Sequence, residues 1–330
     1  MKKIRESLKR KPLSPKTIVQ SPNVNTFLPT DIESLPKISV VTPSYNQGHF
    51  LEGCIDSVLA QNYPKLEYII IDGGSTDQSV DIIRKYEEGI ALWVSEPDEG
   101  QSHAVNKGFE RSSGEIVAWI NADDFYLPGA FEAIARAYQE NPAASFYFGD
   151  GWRVDEDGRS KDGFFPDHHV CFDRIGLIFG LNYILQPATF INRNYLSKAG
   201  FLNPSLRYGM DTDLWIRLSG ITPPEPVSAF LAASREYGAT KTSKGSFERV
   251  EELRRIAQDY SGLSMTPGTM CYFLDTFHRL VSDREDVYPE SFKRQVEIFW
   301  GETAKLMSNF GCRTDGFPML SKPQGGKDKQ

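Results

Sequence analysis

EIVAWINADDFYL, residues 115–127, is the stretch from which the fold is read. Its first half, Glu115 to Ile120, is an apolar run with β-branched and aromatic residues, bounded by Gly114. It reads as a buried strand. Asn121, Ala122, Asp123 and Asp124 follow, then Pro128 and Gly129, and a helical pattern begins. Two adjacent carboxylates at the end of a core strand stand where open α/β sheets bind ligands. Like charges so close repel, so the pair asks for a divalent cation or hydrogen-bond donors. A solvated Asp-Asp turn before a helix is the plainer alternative.

The same pattern recurs on both sides. Upstream, ISVVT (38–42) breaks at Pro43-Ser44-Tyr45-Asn46-Gln47-Gly48 and leads into a helix with Phe50, Leu51, Cys54, Ile55, Val58 and Leu59 on its apolar face. EYIII (67–71) breaks at Asp72-Gly73-Gly74-Ser75, where Ser75 and Gln78 have capping-box spacing, and a helix follows. ALWV (91–94) is a third strand, followed by a polar loop (96–100) and a helix over 102–109. Downstream, Phe131, Ile134, Ala135 and Tyr138 mark a helix, and SFYF (145–148) another strand. Strand, polar loop and helix in alternation predict a mostly parallel sheet flanked by helices. Right-handed crossovers gather the loops after the strands at one edge, where they line one cleft.

The remainder is less regular. QPATFI (186–191) reads as a strand. In MDTDLWIRL (210–218), Asp211 and Asp213 precede a helical face of Leu214, Trp215 and Leu218. A carboxylate here is a candidate general base, and first-turn placement favoured by the helix dipole is the alternative, which suits Asp213 better. Residues 246–320 read as a helical C-terminal region, broken near Pro267 and Pro289. Residues 1–36 and 321–330 read as tails.

The composition is that of a globular protein: 330 residues, 40% hydrophobic and 25% charged. A net charge of -7 argues against a nucleic-acid partner. Four dispersed cysteines form neither a disulfide framework nor a zinc signature, which fits a cytoplasmic location. No apolar run is long enough to span a bilayer. The basic N-terminus, MKKIRESLKRKPLSPK, lacks a signal-peptide core and reads as a solvated tail, with peripheral contact to the inner face of the membrane as the alternative. The first loop has no GxxxxGK[ST] spacing and no strand is followed by GxGxxG, which disfavours P-loop kinases and nicotinamide dehydrogenases. The five histidines are scattered; even the adjacent His168 and His169 are assigned no role. Trp93, Trp119, Phe146 and Phe148 read as core.

Taken together, residues 37–245 resemble a family 2 inverting glycosyltransferase of the GT-A fold. The resemblance rests on ISVVTPSYNQGHFLEGCIDSVLAQNYPKLEYIIIDGGSTDQS, on SEPDEGQSHAVNKGFERSSGEIVAWINADD, and on QPATF followed by MDTDLWIRL. It implies a nucleotide-binding half (37–150) and an acceptor half (151–245). It also implies a UDP- or dTDP-sugar donor, Mn²⁺ or Mg²⁺, and a glycan or lipid-linked glycan acceptor. On that analogy Thr42, Pro43 and Tyr45 pack around the base and ribose, and Asp72 bonds the base. Lys107, within Asn106-Lys107-Gly108, lies near the nucleotide. Asp123 meets the ribose or the metal, Asp124 binds the metal, and Asp211 is the catalytic base. A silent sugar-nucleotide-binding protein and a sugar nucleotidyltransferase are the alternatives. Three positions depart from the family pattern. Gly73 stands for the second Asp of an Asp-Asp-Gly-Ser loop, Met210 for a Glu before the base, and Tyr237 for the His of an Arg-x-His. Arg235, Lys241 and Thr242 are then candidates for the missing diphosphate or metal contact.

Overall fold

A computed structural model describes residues 32–165, 170–180, 182–238, 240 and 246–282, with isolated positions 290, 294, 295 and 298 beyond. The expectations for residues 1–31, for the end of the chain, and for His168, His169, Lys241 and Thr242 lie outside the described residues.

The alternating half folds as its periodicity dictates. Strands β1 (Ile38–Ser44), β2 (Leu66–Asp72), β3 (Leu92–Ser95) and β4 (Ile116–Trp119) form a parallel sheet in the order β3-β2-β1-β4. Helices α1 (Gly48–Leu59), α2 (Ser79–Lys85) and α3 (Gln101–Arg111) make the crossovers. Registers Ser44↔Asp72 and Asp72↔Ser95 keep the strand ends level, so the three loops after β1, β2 and β3 open side by side.

Side-chain alternation sorts two cores. Val40, Ile70 and Ala118 face one layer with Leu51, Ile55 and Val58 of α1 and with Phe131 and Ile134 of α4 (Ala130–Glu140). Val41, Ile69, Ile71 and Trp119 face the other, with Val105 and Phe109 of α3 and Leu214 and Trp215 of a later helix. Period-2 strands between period-3.6 helices give this three-layer arrangement. Trp119, Phe146 and Phe148 are buried core, as expected; Trp93 is only half-buried.

Beyond β4 the sheet becomes mixed. β5 (Phe125–Tyr126) follows the Asp pair, and β6 (Phe146–Val154) carries β7 (Ser160–Gly163) on part of its length. β8 (Thr189–Asn192) inserts antiparallel between β4 and β6. β9 (Glu225–Arg235) runs parallel to β6 and antiparallel to β5, closing the order β4-β8-β6-β9-β5. The strand expected over 186–191 is therefore shorter, because Gln186–Ala188 forms a 3-10 turn. The Ser75–Gln78 capping box does not form. Ser79 opens α2 with Gln78 at its N-cap, and the Ser75 hydroxyl donates instead to Asp72 Oδ1 at 2.5 Å.

Short helices α5 (Arg174–Phe179) and α6 (Arg193–Ala199) precede α7 (Met210–Ser219). The chain then forms α8 (Phe247–Ser261) and α9 (Pro267–Ser282), which bears out a helical region after residue 246 as far as it is described. α8 seats the start of α7: Glu252 accepts from the amides of Arg207, Tyr208 and Gly209 at 2.6–2.8 Å. Among the described residues no helix is long and apolar enough to cross a membrane.

Candidate active site

The Asp pair lies just past β4. Asp124 is buried (3% exposed) and Asp123 half-buried. Their donors come from the end of β9. The Arg235 amide donates to Asp124 Oδ1 at 2.9 Å, its guanidinium donates to the Asp123 carbonyl, and the Tyr237 hydroxyl donates to Asp123 Oδ2 at 3.1 Å. Arg235 lies over the rings of Phe50 and Phe125 at 5.0 and 5.1 Å, and Tyr237 packs on Phe50. Arg235 and Tyr237 therefore form one clamp on the acidic pair.

These donors do not balance the charge. Burial, then the neighbouring charge of Asp123, pushes the Asp124 carboxyl well above its ordinary value. Burial also raises Asp123, against the hydrogen bond from Tyr237. Burial and the Asp123 charge in turn push the Tyr237 hydroxyl up to about 12, so it stays a neutral donor. Two carboxylates held near each other in this way suit a hard divalent cation, which binds through one or two carboxylates plus phosphate oxygens. Among the described residues no group of three His, Cys, Asp or Glu side chains converges.

Asn121 links this pair to the opposite wall. It donates to Asp124 Oδ2 at 3.3 Å and to Gln186 Oε1 at 3.1 Å, and its own Oδ1 accepts from Gln101 at 2.6 Å. Gln186 in turn donates to the Trp119 carbonyl, which ties the QPATF motif to the end of β4. Ser102, next to Gln101, donates to Met210 Sδ at 2.8 Å. Met210 therefore fills the place before Asp211 by packing on α3.

Asp211 opens α7 on this wall. Its Oδ1 accepts from the Thr212 amide at 2.7 Å and its Oδ2 from Asn182 Nδ2 at 3.1 Å. The Asn182 amide donates to the Tyr272 hydroxyl at 3.2 Å, so α9 reaches the loop that orients Asp211. Asp213 has a different occupation. It pairs with Arg217 at 2.8 Å and accepts from Tyr260, a structural role.

The other predicted residues divide. Tyr45 is 63% exposed at the strand edge. Asp72 is fully buried and satisfied by its own neighbourhood. Gly74 N, Ser75 N and Ser95 Oγ donate to Oδ2, and Ser75 Oγ to Oδ1. Its visible work is to shape the loop. Thr42 turns its hydroxyl inward to Tyr68 at 3.0 Å, and Pro43 is buried beside it. Lys107 pairs with Glu96 at 2.8 Å on the loop after β3. Asn106 latches Leu202 through both backbone groups, and a Cβ on Gly108 would lie 2.3 Å from Val41, so that glycine lets α3 approach β1. Sequence reasoning missed Asn121, Gln101 and Asn182. Only the motif position of Gln186 hinted at the network.

A sheet of this order, with an acidic pair beyond its central strand and a carboxylate on the facing helix, defines the GT-A class of α/β proteins. The solved structures agree on the fold. TarS residues 1–349 from S. aureus, in complex with UDP-GlcNAc, aligns at TM-score 0.56 and 18% identity, covering 87% of this chain and 76% of that one. The mannosyltransferase PcManGT from Pyrobaculum calidifontis, in complex with GDP-Man and Mn²⁺, aligns at 0.52 and 17%, covering 92% and 88%. Residues 39–192, just under half of the chain, match Glycosyl transferase family 2. An uncharacterized glycosyltransferase of Rickettsia typhi is 27% identical over 255 residues, 75% of this chain and 78% of that one. A putative teichuronic acid biosynthesis glycosyltransferase, TuaG of Bacillus subtilis, is 36% identical over 132 residues, 39% and 52%.

Proposed function

We propose that this chain is a cation-dependent, inverting glycosyltransferase, and that it moves a sugar from a UDP- or dTDP-sugar to a hydroxyl of a glycan or lipid-linked glycan. The observation that carries the reading is the buried, under-compensated pair Asp123–Asp124, on a wall separate from Asp211. The pair would hold Mn²⁺ or Mg²⁺ through carboxylate oxygens. Such a cation, when bound, neutralises the diphosphate as it departs. Asp211 accepts the proton of the acceptor hydroxyl. The acceptor oxygen bonds to the anomeric carbon as the bond from that carbon to the diphosphate oxygen breaks, and the nucleoside diphosphate leaves with the electron pair. By analogy with glycoside hydrolysis, one base with no second nucleophilic carboxylate assigned among the described residues corresponds to one displacement, hence inversion. Tyr237 and Arg235 hold the acidic pair in place from β9. The ligands of the TarS and PcManGT structures support a nucleotide-sugar donor, and the likeness to TuaG supports a surface-polymer acceptor.

The test is nucleotide release from a panel of UDP-, dTDP- and GDP-sugars with Mn²⁺, Mg²⁺ or chelator, followed by calorimetry with the free nucleotide. Release or binding that requires the cation and disappears in Asp124→Ala is the expected result. Nucleotide binding that is indifferent to both chelator and Asp124→Ala would remove the metal assignment.

A further inference from the structure

Asp211 stands in the first turn of a helix whose cap is borrowed. The N-cap of α7 is Gly209, which has no side chain to cap the helix, and Met210, the residue before Asp211, turns to Ser102 on α3. The cap comes from α8. Glu252 accepts from three consecutive amides: Arg207 on Oε2 at 2.8 Å, and Tyr208 and Gly209 on Oε1 at 2.6 and 2.7 Å. Successive N–H groups turned to one side make a nest for an anion, and the helix N-terminus behind them favours negative charge. The close approach needs the glycine. A Cβ on Gly209 would lie 2.6 Å from Ile256 Cδ1 and 2.9 Å from Leu253 Cδ2, both on α8. The Asp213 amide donates to the Gly209 carbonyl at 2.9 Å. The helical bond that brackets Asp211 therefore starts on the residue that Glu252 holds.

From this we infer that Glu252 is a positioning residue for the general base. It fixes the backbone from which Asp211 projects, while the Thr212 amide and Asn182 Nδ2 fix the two carboxylate oxygens. Glu252 acts through Asp211 and takes no proton itself. A second tie between the same two helices supplies the contrast. Tyr260 of α8 donates to Asp213 Oδ1 at 2.7 Å, and Asp213 is also paired with Arg217. That bond holds a side chain after the base, not the backbone before it. The inference rests on the assignment of Asp211 as the base and names what aims it.

Steady-state nucleotide release from the same panel of UDP-, dTDP- and GDP-sugars with Mn²⁺, water serving as acceptor, tests it on the full chain. Glu252→Ala should lower kcat by about 10- to 100-fold, the cost of misplacing a catalytic group by about 1 Å, with donor KM within about twofold. Glu252→Gln keeps one carbonyl oxygen for the Tyr208 and Gly209 amides, and its kcat should fall between the two. Tyr260→Phe removes a bond between the same helices and should lower Tm with kcat unchanged. The sharpest arm is the double variant. Adding Glu252→Ala to Asp211→Asn should change release by less than about twofold, because no base is left to aim. A full further fall in the double variant, or a fall in Tyr260→Phe equal to that in Glu252→Ala, would make Glu252 a structural cap alone; it would overturn the inference and leave the base assignment intact. Unchanged release in Asp211→Asn, or no release from any donor by the unsubstituted chain, would overturn the reading on which the inference rests, and the inference with it.

Discussion

Two carboxylate sites at opposite ends of the same sheet differ in every physical respect. At the starting ends of the strands, Glu67 accepts from Lys37 Nζ at 2.7 Å, Ser39 Oγ at 2.5 Å, Ser113 N at 2.7 Å and Ser113 Oγ at 2.6 Å. Partial burial works to raise its pKa. The hydrogen bonds from Lys37, Ser113 and Ser39 prevail, and hold it at about 2. At the finishing ends, burial and mutual repulsion push Asp124 well above the carboxylate range. The first end spends its donors on cohesion. The second leaves charge unbalanced, and the imbalance is what a cation and a diphosphate can use. An under-satisfied buried charge costs stability, and a ligand that neutralises it recovers that cost on binding.

The largest expected effect is at the finishing end. Asp211→Asn should lower transfer by about 10²- to 10⁴-fold while donor binding stays within error, because only proton acceptance is lost. Full transfer with this variant, measured with any competent acceptor, would end the base assignment.

Next come stability changes of opposite sign. Glu67→Gln removes a charge that four donors serve and should cost about 1–3 kcal/mol at pH 7 in denaturant titrations. Asp124→Asn removes a charge that repels its neighbour and should stabilise the cation-free chain by about 0.5–2 kcal/mol while abolishing Mn²⁺-dependent release. The pH dependence separates them further. A lowered folded pKa means that the Glu67 contribution is present above its unfolded value of about 4.5 and fades as pH falls toward about 2. A raised folded pKa means that the Asp124 contribution is present below its unfolded value and is lost as pH rises through the folded one. Equal signs for the two variants would break the contrast between the ends.

The smallest effect should be Tyr272→Phe, which removes the acceptor for the Asn182 amide. We expect a fall in kcat of up to about tenfold with little change in donor KM, since one neutral hydrogen bond is worth about 0.5–1.5 kcal/mol. A change confined to thermal stability would mean that α9 supports the fold and not the geometry of Asp211.

Much of this was legible in the sequence. The runs ISVVT, EYIII, ALWV and EIVAWI each combine a strand period with a following helix period, and local pattern places β1 to β4 without tertiary knowledge. The stretch EPVSAFLAASR is β9, and no reading of the residues marked it as a strand. Its pairing with β6 and β5 is set by long-range contacts, and its burial does not alternate cleanly. The same reason hid the clamp. Tyr237 was visible as a departure from a motif and Arg235 as the residue that keeps it, while their contact with Asp123 and Asp124 exists only once β9 lies in place. Asp72 shows the reverse case: its motif position was plain, but the four donors that turn it inward are the amides of Gly74 and Ser75, the Ser75 hydroxyl and Ser95 on another strand.

The position of β9 also sets a clock. The amide that caps Asp124 lies 111 residues downstream of it in the chain. At translation speeds of 5–20 residues per second, about 6–22 s separate the emergence of the acidic pair from that of its clamp. During this interval β6 has an open edge where β9 will pair, and the carboxylates lack the donors of Arg235 and Tyr237. A ribosome that stalls before residue 225 therefore releases a polypeptide with the whole parallel half of the sheet and an unfinished rim.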